Sequence, residues 1–230
     1  MRKGVQKIYT EVAESYESIN HVLTLGLDIL WRKKAVRSIT AAQDQYWLDV
    51  CSGTGEMTRN LSRRAHASTS IFSVDFSFPM LSHAVKKNYK NKVHFMIADV
   101  AHLPFPDGSF DLVTISFSIR NLNLNRDELL VHLREFHRIL KPGGHFLNLE
   151  TSQPSSRFLR KLFHFYIRKI VRPVGSFLSG SKAGYGYLAY TVPRFYPPRE
   201  FSSLILDAGF SNVEHRSTFL SFAAIHLATK

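Results

Sequence analysis

The stretch "WLDVCSGTGEMT", Trp47 to Thr58, constrains the fold of this chain more than any other. An apolar run ends in a turn carrying Gly53 and Gly55, and helical spacing begins directly afterwards, over Met57–Arg64. Strand, glycine turn and helix in that order form the first half of a βαβ unit. At such a turn glycines let the backbone approach a ligand closely, and the first helical turn offers N–H groups that have no partner inside the helix.

The same alternation continues along the chain. Strand-like runs are Tyr46–Cys51, Ser70–Asp75, Val93–Ala98, Leu112–Phe117 and His145–Glu150. Helical spacing separates them at Pro79–Asn88 and Arg126–Leu140, where "KPGG" reads as a helix stop and a turn into the fifth strand. A helix around Pro198–Ala208 and two strands near Asn212–Thr218 and Phe222–Thr229 follow, so closely spaced that they predict an antiparallel hairpin at the sheet edge or within it. The expectation is one α/β domain over residues 1–230, with a mainly parallel seven-stranded sheet and an antiparallel terminal strand.

Charge narrows the partners without choosing one. A formal charge of +12 favours anionic partners: nucleic acid, an acidic lipid surface or a phosphorylated substrate. The single cysteine, Cys51, rules out an internal disulfide framework, and without paired histidines it gives no metal set. The start of the chain has no apolar core of signal-peptide type and no run of 18 apolar residues occurs, so the expectation is a cytoplasmic protein that can at most lie on a membrane.

The carboxylates around the glycine turn specify the cofactor class. Asp75 ends the second strand, where a carboxylate can accept hydrogen bonds from both hydroxyls of a ribose. A third glycine is absent, because Glu56-Met57-Thr58 follow Gly55, so the dinucleotide fingerprint is incomplete. Asp49 and Glu56 on either side of the turn suit a cofactor bearing an amino group and a sulfonium better than a pyrophosphate. Asp99, after the third strand, is placed for an adenine amino group. Together these features predict S-adenosylmethionine, held by Asp49, Gly53, Gly55, Asp75 and Asp99.

Successive motifs then converge on one family. "LDVCSGTGE", "VDFSFPML", "ADVAHLPFPDGSFDLVTISFSIRN", "EFHRILKPGGHFLNLE" and "SQP" resemble, in order, motifs of the ubiquinone/menaquinone biosynthesis C-methyltransferases. The opening "VQKIYTEVAESYESINHVLTLGLDILWRK" and the late "GYGYLAYTVPRFYPPREFSSLILDAGFSNV" extend the resemblance over nearly the whole chain. It implies a Rossmann-like class I methyltransferase fold and C-methylation of a prenylated quinol, with demethylmenaquinol as the leading acceptor. It adds Thr54, Val100 and Ser116 to the expected cofactor contacts. Ser118 stands where the family usually has glycine.

Methyl transfer needs an in-line approach, and a carbon acceptor made nucleophilic by phenolic proton loss benefits from a cation or donor at the developing oxyanion. Arg120 and Asn121 follow the fourth strand, whose C-terminal end should face the cofactor, and are the expected catalytic residues. Tyr16 and Asn20 lie four apart on one helical face, which the resemblance puts over the cofactor; Tyr16 is assigned to catalysis and Asn20, with Tyr187, to the acceptor. No histidine spacing marks a general base, and Cys51 reads as a small residue in a tight turn.

Residues 1–40 are expected to form a helical cover and residues 151–197 a substrate-binding insertion or lid. Within the latter, "RFLRKLFHFYIRKIVR", residues 157–172, is basic; if helical, it puts Leu159, Leu162, Phe163, Tyr166, Ile167 and Ile170 on one stripe. That pattern suits an anionic membrane surface, from which an isoprenoid quinone would be drawn. Packing of the stripe on the protein's own core is the competing reading. A methyltransferase acting on another lipid or phenol remains a rival, and an RNA-binding or RNA-modifying protein a weaker one, since no base-stacking platform interleaves the charges. No nucleic-acid partner is therefore expected, and a homodimer is left open.

Overall fold

The computed structural model describes residues 3–43 and 45–230. Seven strands form one sheet in the order β3-β2-β1-β4-β5-β7-β6. They are β1 (Tyr46–Val50), β2 (Ser70–Asp75), β3 (Val93–Ile97), β4 (Phe110–Ser116), β5 (Leu140–Thr151), β6 (Asn212–Ser217) and β7 (Ala223–Thr229). The first five are parallel, while β7 runs antiparallel to both β5 and β6. Strand order reverses between β1 and β4, and a crevice beyond the C-terminal ends of strands at such a reversal is where ligands bind.

Three helices precede β1: α1 (Lys3–Val12), α2 (Tyr16–Leu23) and α3 (Leu27–Arg37). The parallel strands are linked through α4 (Glu56–Arg64), α5 (Phe78–Val85), the short α6 (Ile119–Leu122) and α7 (Arg126–Ile139). Helix α7 has its sequence signals in place. The Asn125 side chain accepts from the Glu128 N–H at 2.9 Å, with Asp127 and Glu128 in the first turn and His137 and Arg138 in the last. On one face of the sheet Leu129, Leu133 and Phe136 of α7 pack with Val113, Ile115 and Phe146; on the other, Trp31 and Ala35 of α3 and Met57 and Leu61 of α4 pack with Trp47, Ile71 and Leu147.

Strand β5 starts earlier than expected, at Leu140. The Lys141–Gly144 segment is a bulge inside the strand, since Phe110 pairs with Leu140 and Leu112 with His145, and Gly143 supplies the left-handed φ of 76° that the bulge needs.

After β5 the chain is helical: α8 (Arg157–Tyr166), a π-helical turn (Ile167–Val171), α9 (Arg172–Ser179) and α10 (Lys182–Thr191) precede α11 (Pro198–Asp207). Pro173 cannot donate to the carbonyl of Lys169, and the π turn directly precedes it. The expected single stripe over 157–172 divides in two. Phe163 and Ile167 are buried, whereas Leu162 and Ile170 face outward. The buried row joins a third core, with Ile19 and Leu23 of α2, Val171, and Tyr185, Ala189 and Val192 from α10 and the turn after it. Tyr166 fixes this packing by donating its hydroxyl to the Leu23 carbonyl at 2.6 Å.

Candidate active site

The glycine turn is strained where it meets the crevice. Cys51 has φ of 52°, a left-handed backbone rare for a side chain with Cβ, and fits the expected small turn residue. Gly53 and Gly55 also have positive φ, for different reasons. A Cβ on Gly55 would stand 2.6 Å from Tyr89 Oη and 2.9 Å from Ala84 Cβ, so this glycine is required by packing against α5. A Cβ on Gly53 would meet nothing within 4 Å, leaving open space over the turn.

Asp75 anchors the turn from β2. Its Oδ2 accepts from the Gly53 N–H at 2.8 Å and its Oδ1 from the Ser77 N–H at 2.8 Å, and the carboxylate borders the crevice with acceptor capacity to spare. Burial raises its pKa above the ordinary aspartate range. Gly53, Thr54, Asp75, Ser116, Asn121 and Tyr16 all line one cleft, where the Ser52 hydroxyl is buried without a partner among the described residues.

Four of the expected cofactor residues are not among those lining this cleft. Asp49 is fully buried beneath the turn, its Oδ2 taking the Thr58 hydroxyl at 2.6 Å and its Oδ1 the Thr114 hydroxyl at 2.9 Å. Burial pushes its pKa up to about 6, and its carboxylate braces α4 against β4 instead of facing the cleft. Val100 is buried in the main core, Gly55 supports the helix from behind, and Asp99 is exposed at the rim, its Oδ1 accepting from the Ala101 N–H at 3.0 Å.

The end of β4 turns through Phe117, at φ of 54°, into α6, which carries Arg120 and Asn121 inward. Ser118, at φ of −129°, has a backbone any residue adopts, so the departure from glycine there costs nothing conformationally. Arg120 is buried. Its Nη1 donates to Glu150 Oε1 at 2.7 Å and to the Phe117 carbonyl at 2.6 Å, and its Nε is buried without a partner among the described residues. Burial alone would depress its pKa, but the Glu150 carboxylate more than offsets this and keeps the charge fixed. Asn121 donates from Nδ2 to Tyr9 Oη at 2.7 Å, while its Oδ1 is buried and unpartnered among the described residues.

A second, apolar cavity of about 530 Å³ lies between α2, α3 and the helices after β5. Arg120, Tyr16, Asn20 and Arg32 line it together with Trp31, Phe117, Phe163 and Leu188. Arg32 lines both this cavity and the cleft, stacks over the Phe117 ring at 5.0 Å, and pairs with Asp28 at 2.6 Å. A smaller pocket beside them brings Tyr187 together with Tyr9, Tyr16, Asn20 and Arg120. Tyr16 borders all three spaces, and stands edge-on to Tyr9 with ring centroids 5.7 Å apart.

Similarity to known proteins agrees with this arrangement. The sequence profile of the ubiE/COQ5 methyltransferase family matches residues 1–230. The chain belongs to this family. Its ubiE/COQ5 relatives include the demethylmenaquinone methyltransferase of Lactiplantibacillus plantarum, 34% identical over 99% of this chain and 96% of that protein. The ubiquinone/menaquinone biosynthesis C-methyltransferase UbiE of Geotalea daltonii is also 34% identical, over 98% of this chain and 96% of that protein. In fold, the chain is similar to a SAM-dependent methyltransferase of Thermotoga maritima, with a TM-score of 0.68, 19% identity and coverage of 97% of this chain and 99% of that one. The fold is thus the Rossmann-like class I methyltransferase fold.

Three members of this ubiE/COQ5 site escape the sequence reading. Glu150 ends the run "FLNLE", and its charge near a strand end beside the strand that leads into Arg120 is the signal that identifies it. Tyr9 and Tyr16 are seven apart, two helical turns, but the break between α1 and α2 hides their shared face. Arg32 sits among other basic residues of α3, and only its burial distinguishes it.

Proposed function

We propose that this ubiE/COQ5 protein transfers a methyl group from S-adenosylmethionine to a ring carbon of a prenylated quinol, most directly demethylmenaquinol. The observation that carries this reading is the junction at Tyr16, where a cleft built on Asp75 and Gly53 meets buried arginines at the head of a long apolar cavity. A ring with ionisable oxygens and an isoprenoid tail matches that junction of charge and apolar space, and the names of the relatives point the same way.

The residues present fit the cofactor. Asp75 offers free lone pairs for a ribose, the space above Gly53 admits a ligand against the backbone, and the Ser52 hydroxyl has a donor and acceptor to give. When bound, S-adenosylmethionine would supply an electrophilic methyl group on a sulfonium, whose sulfur would keep the electron pair of the broken bond and leave as a neutral thioether.

The chain's own groups prepare the acceptor. Arg120 and Arg32, each paired with a carboxylate but with its Nε unpartnered among the described residues, present guanidinium groups in an apolar cavity, which favours loss of the quinol's phenolic proton and stabilises the oxyanion that makes the neighbouring carbon nucleophilic. The Asn121 Oδ1, buried and without a partner among the described residues, would accept from a ring hydroxyl that reaches the cleft it lines, with Tyr9 holding its amide in orientation. After transfer the methylated carbon releases its own proton and the ring regains aromaticity.

Purified protein incubated with methyl-labelled S-adenosylmethionine is expected to label demethylmenaquinol or demethylated ubiquinol precursors. Label appearing only in bulk RNA, or in an unprenylated phenol in preference to quinols, overturns the assignment.

A further inference from the structure

We propose that the outward face of the helix from Arg157 to Ser179 docks the protein on an anionic lipid bilayer, so that the apolar cavity opens onto the membrane. The π turn at Ile167–Val171 makes this face. In a plain α-helix, residues taken every fourth position drift around the axis, because four exceeds the 3.6 residues of a turn. The wider turn offsets the drift, so Phe163, Ile167, Val171 and Gly175 stay buried through both helical segments.

The opposite row is apolar and faces water. Phe158 is 74% and Phe177 86% exposed, with Leu162, Phe165, Ile170 and Val174 exposed between them. Three of these, Leu162, Phe165 and Ile170, also line the apolar cavity, as does Leu25, 84% exposed at the turn between α2 and α3. The exposed row is therefore continuous with the mouth of the cavity.

Charge selects the occupant. Between Thr151 and Glu200 the chain carries nine Lys or Arg and no Asp or Glu. Arg157, Lys161 and Lys169 each adjoin a member of the apolar row, namely Phe158, Leu162 and Ile170. Long basic side chains flanking an apolar row fit a helix lying in a lipid interface, stems along the acyl boundary and charges at the headgroups. No helix among the described residues is long and apolar enough to cross a membrane, so the contact proposed is with one leaflet. It rests on the reading that the cavity takes an isoprenoid tail, whose reservoir is the bilayer.

The test is sedimentation with phosphatidylcholine vesicles, with and without phosphatidylglycerol. The protein is expected to pellet only with the anionic vesicles, in a salt-sensitive manner. F158S/F177S and, separately, R157E/K161E/K169E are each expected to weaken that binding about tenfold or more, while V131S on α7 does not. Both multiple variants should still methylate a tail-less quinol in solution at the parent's rate, since none of the substituted residues lines the cavity or the cleft. Methylation of the tail-less quinol without vesicle binding by the parent overturns the docking and leaves the enzymatic reading standing; vesicle binding without any quinol methylation does the reverse. Vesicle binding indifferent to both variants, or a solution dimer that F158S/F177S dissolves in a parent that ignores vesicles, also overturns the docking.

Discussion

Arg120 keeps a full charge where solvent hardly reaches it, and Glu150 is what makes that tenable. Removing one partner of a buried pair strands the other, at a cost of about 3–5 kcal/mol. Arg120→Ala is expected to lower kcat on quinol by about 10²-fold or more while leaving cofactor affinity nearly intact, because the proposed mechanism assigns the guanidinium to the developing oxyanion. Asp75→Ala should do the opposite, weakening cofactor binding by roughly tenfold through loss of the proposed ribose contacts and release of the Gly53 N–H. Isothermal titration beside steady-state kinetics separates them, and equal loss of cofactor affinity in both contradicts the assigned roles. Two other buried groups give opposing pH effects. Burial lowers the His226 pKa to about 4, below its unfolded value, so its contribution is present above about pH 6.5 and lost as pH falls toward 4. Burial raises Asp49 to about 6, above its unfolded value, so the fold gains stability as pH falls through the same window. Each is worth roughly 3 kcal/mol across the window, and they nearly cancel. Denaturant unfolding should therefore find Asp49→Asn more acid-labile than the parent and His226→Gln less so; parallel pH profiles for all three proteins count against this. Asp49 also shows what sequence could not convey, because a carboxylate beside a glycine turn reads the same whether it points to a ligand or down to two threonines. Arg120, Asn121 and Asp75 are legible because their neighbours in sequence fix which strand end they follow, and Tyr16 through its helical spacing from Asn20 and the resemblance of the opening segment.

The elements were legible wherever one physical signal dominated. The parallel strands are mostly apolar runs bounded by turn residues, and β1 to β4 fall within about two residues of their expected ends. Strand β5 was shortened in the reading because "KPGG" signals a stop equally well for a turn and for a bulge. The segment after β5 was legible as an amphipathic helix but not in its facing, since periodicity assumes 3.6 residues throughout and a π turn breaks that assumption. Close packing within this segment hangs on one glycine. A Cβ on Gly175 would lie 2.2 Å from the Tyr185 ring, so α9 and α10 touch only because that atom is absent. Gly175→Ala is expected to cost about 1–3 kcal/mol and to reduce quinol turnover while leaving cofactor affinity unchanged. A thermal melt identical to the parent's would show that the ring swings aside freely.

On the scale of the whole molecule, the sheet has its own two-sided core, whereas α2 and the helices after β5 share a separate one. Such a unit is expected to open as a body before the sheet does. Amide hydrogen exchange should show α2, α8, α9 and α10 exchanging together and faster than β1, β4 and β5, with protection rising in all four when quinol analogue binds. Independent exchange of α2 would break the link. The partners in that separate core stand far apart along the chain: Ile19 and Leu23 pack on residues from Phe163 to Val192. During synthesis at about 5–20 residues per second, the first of these leave the ribosome roughly ten to thirty seconds before the last can meet them. For that interval the nascent protein carries an uncovered apolar helix on a half-built sheet, and the apolar cavity cannot be complete until its last lining residue, Phe222, has emerged.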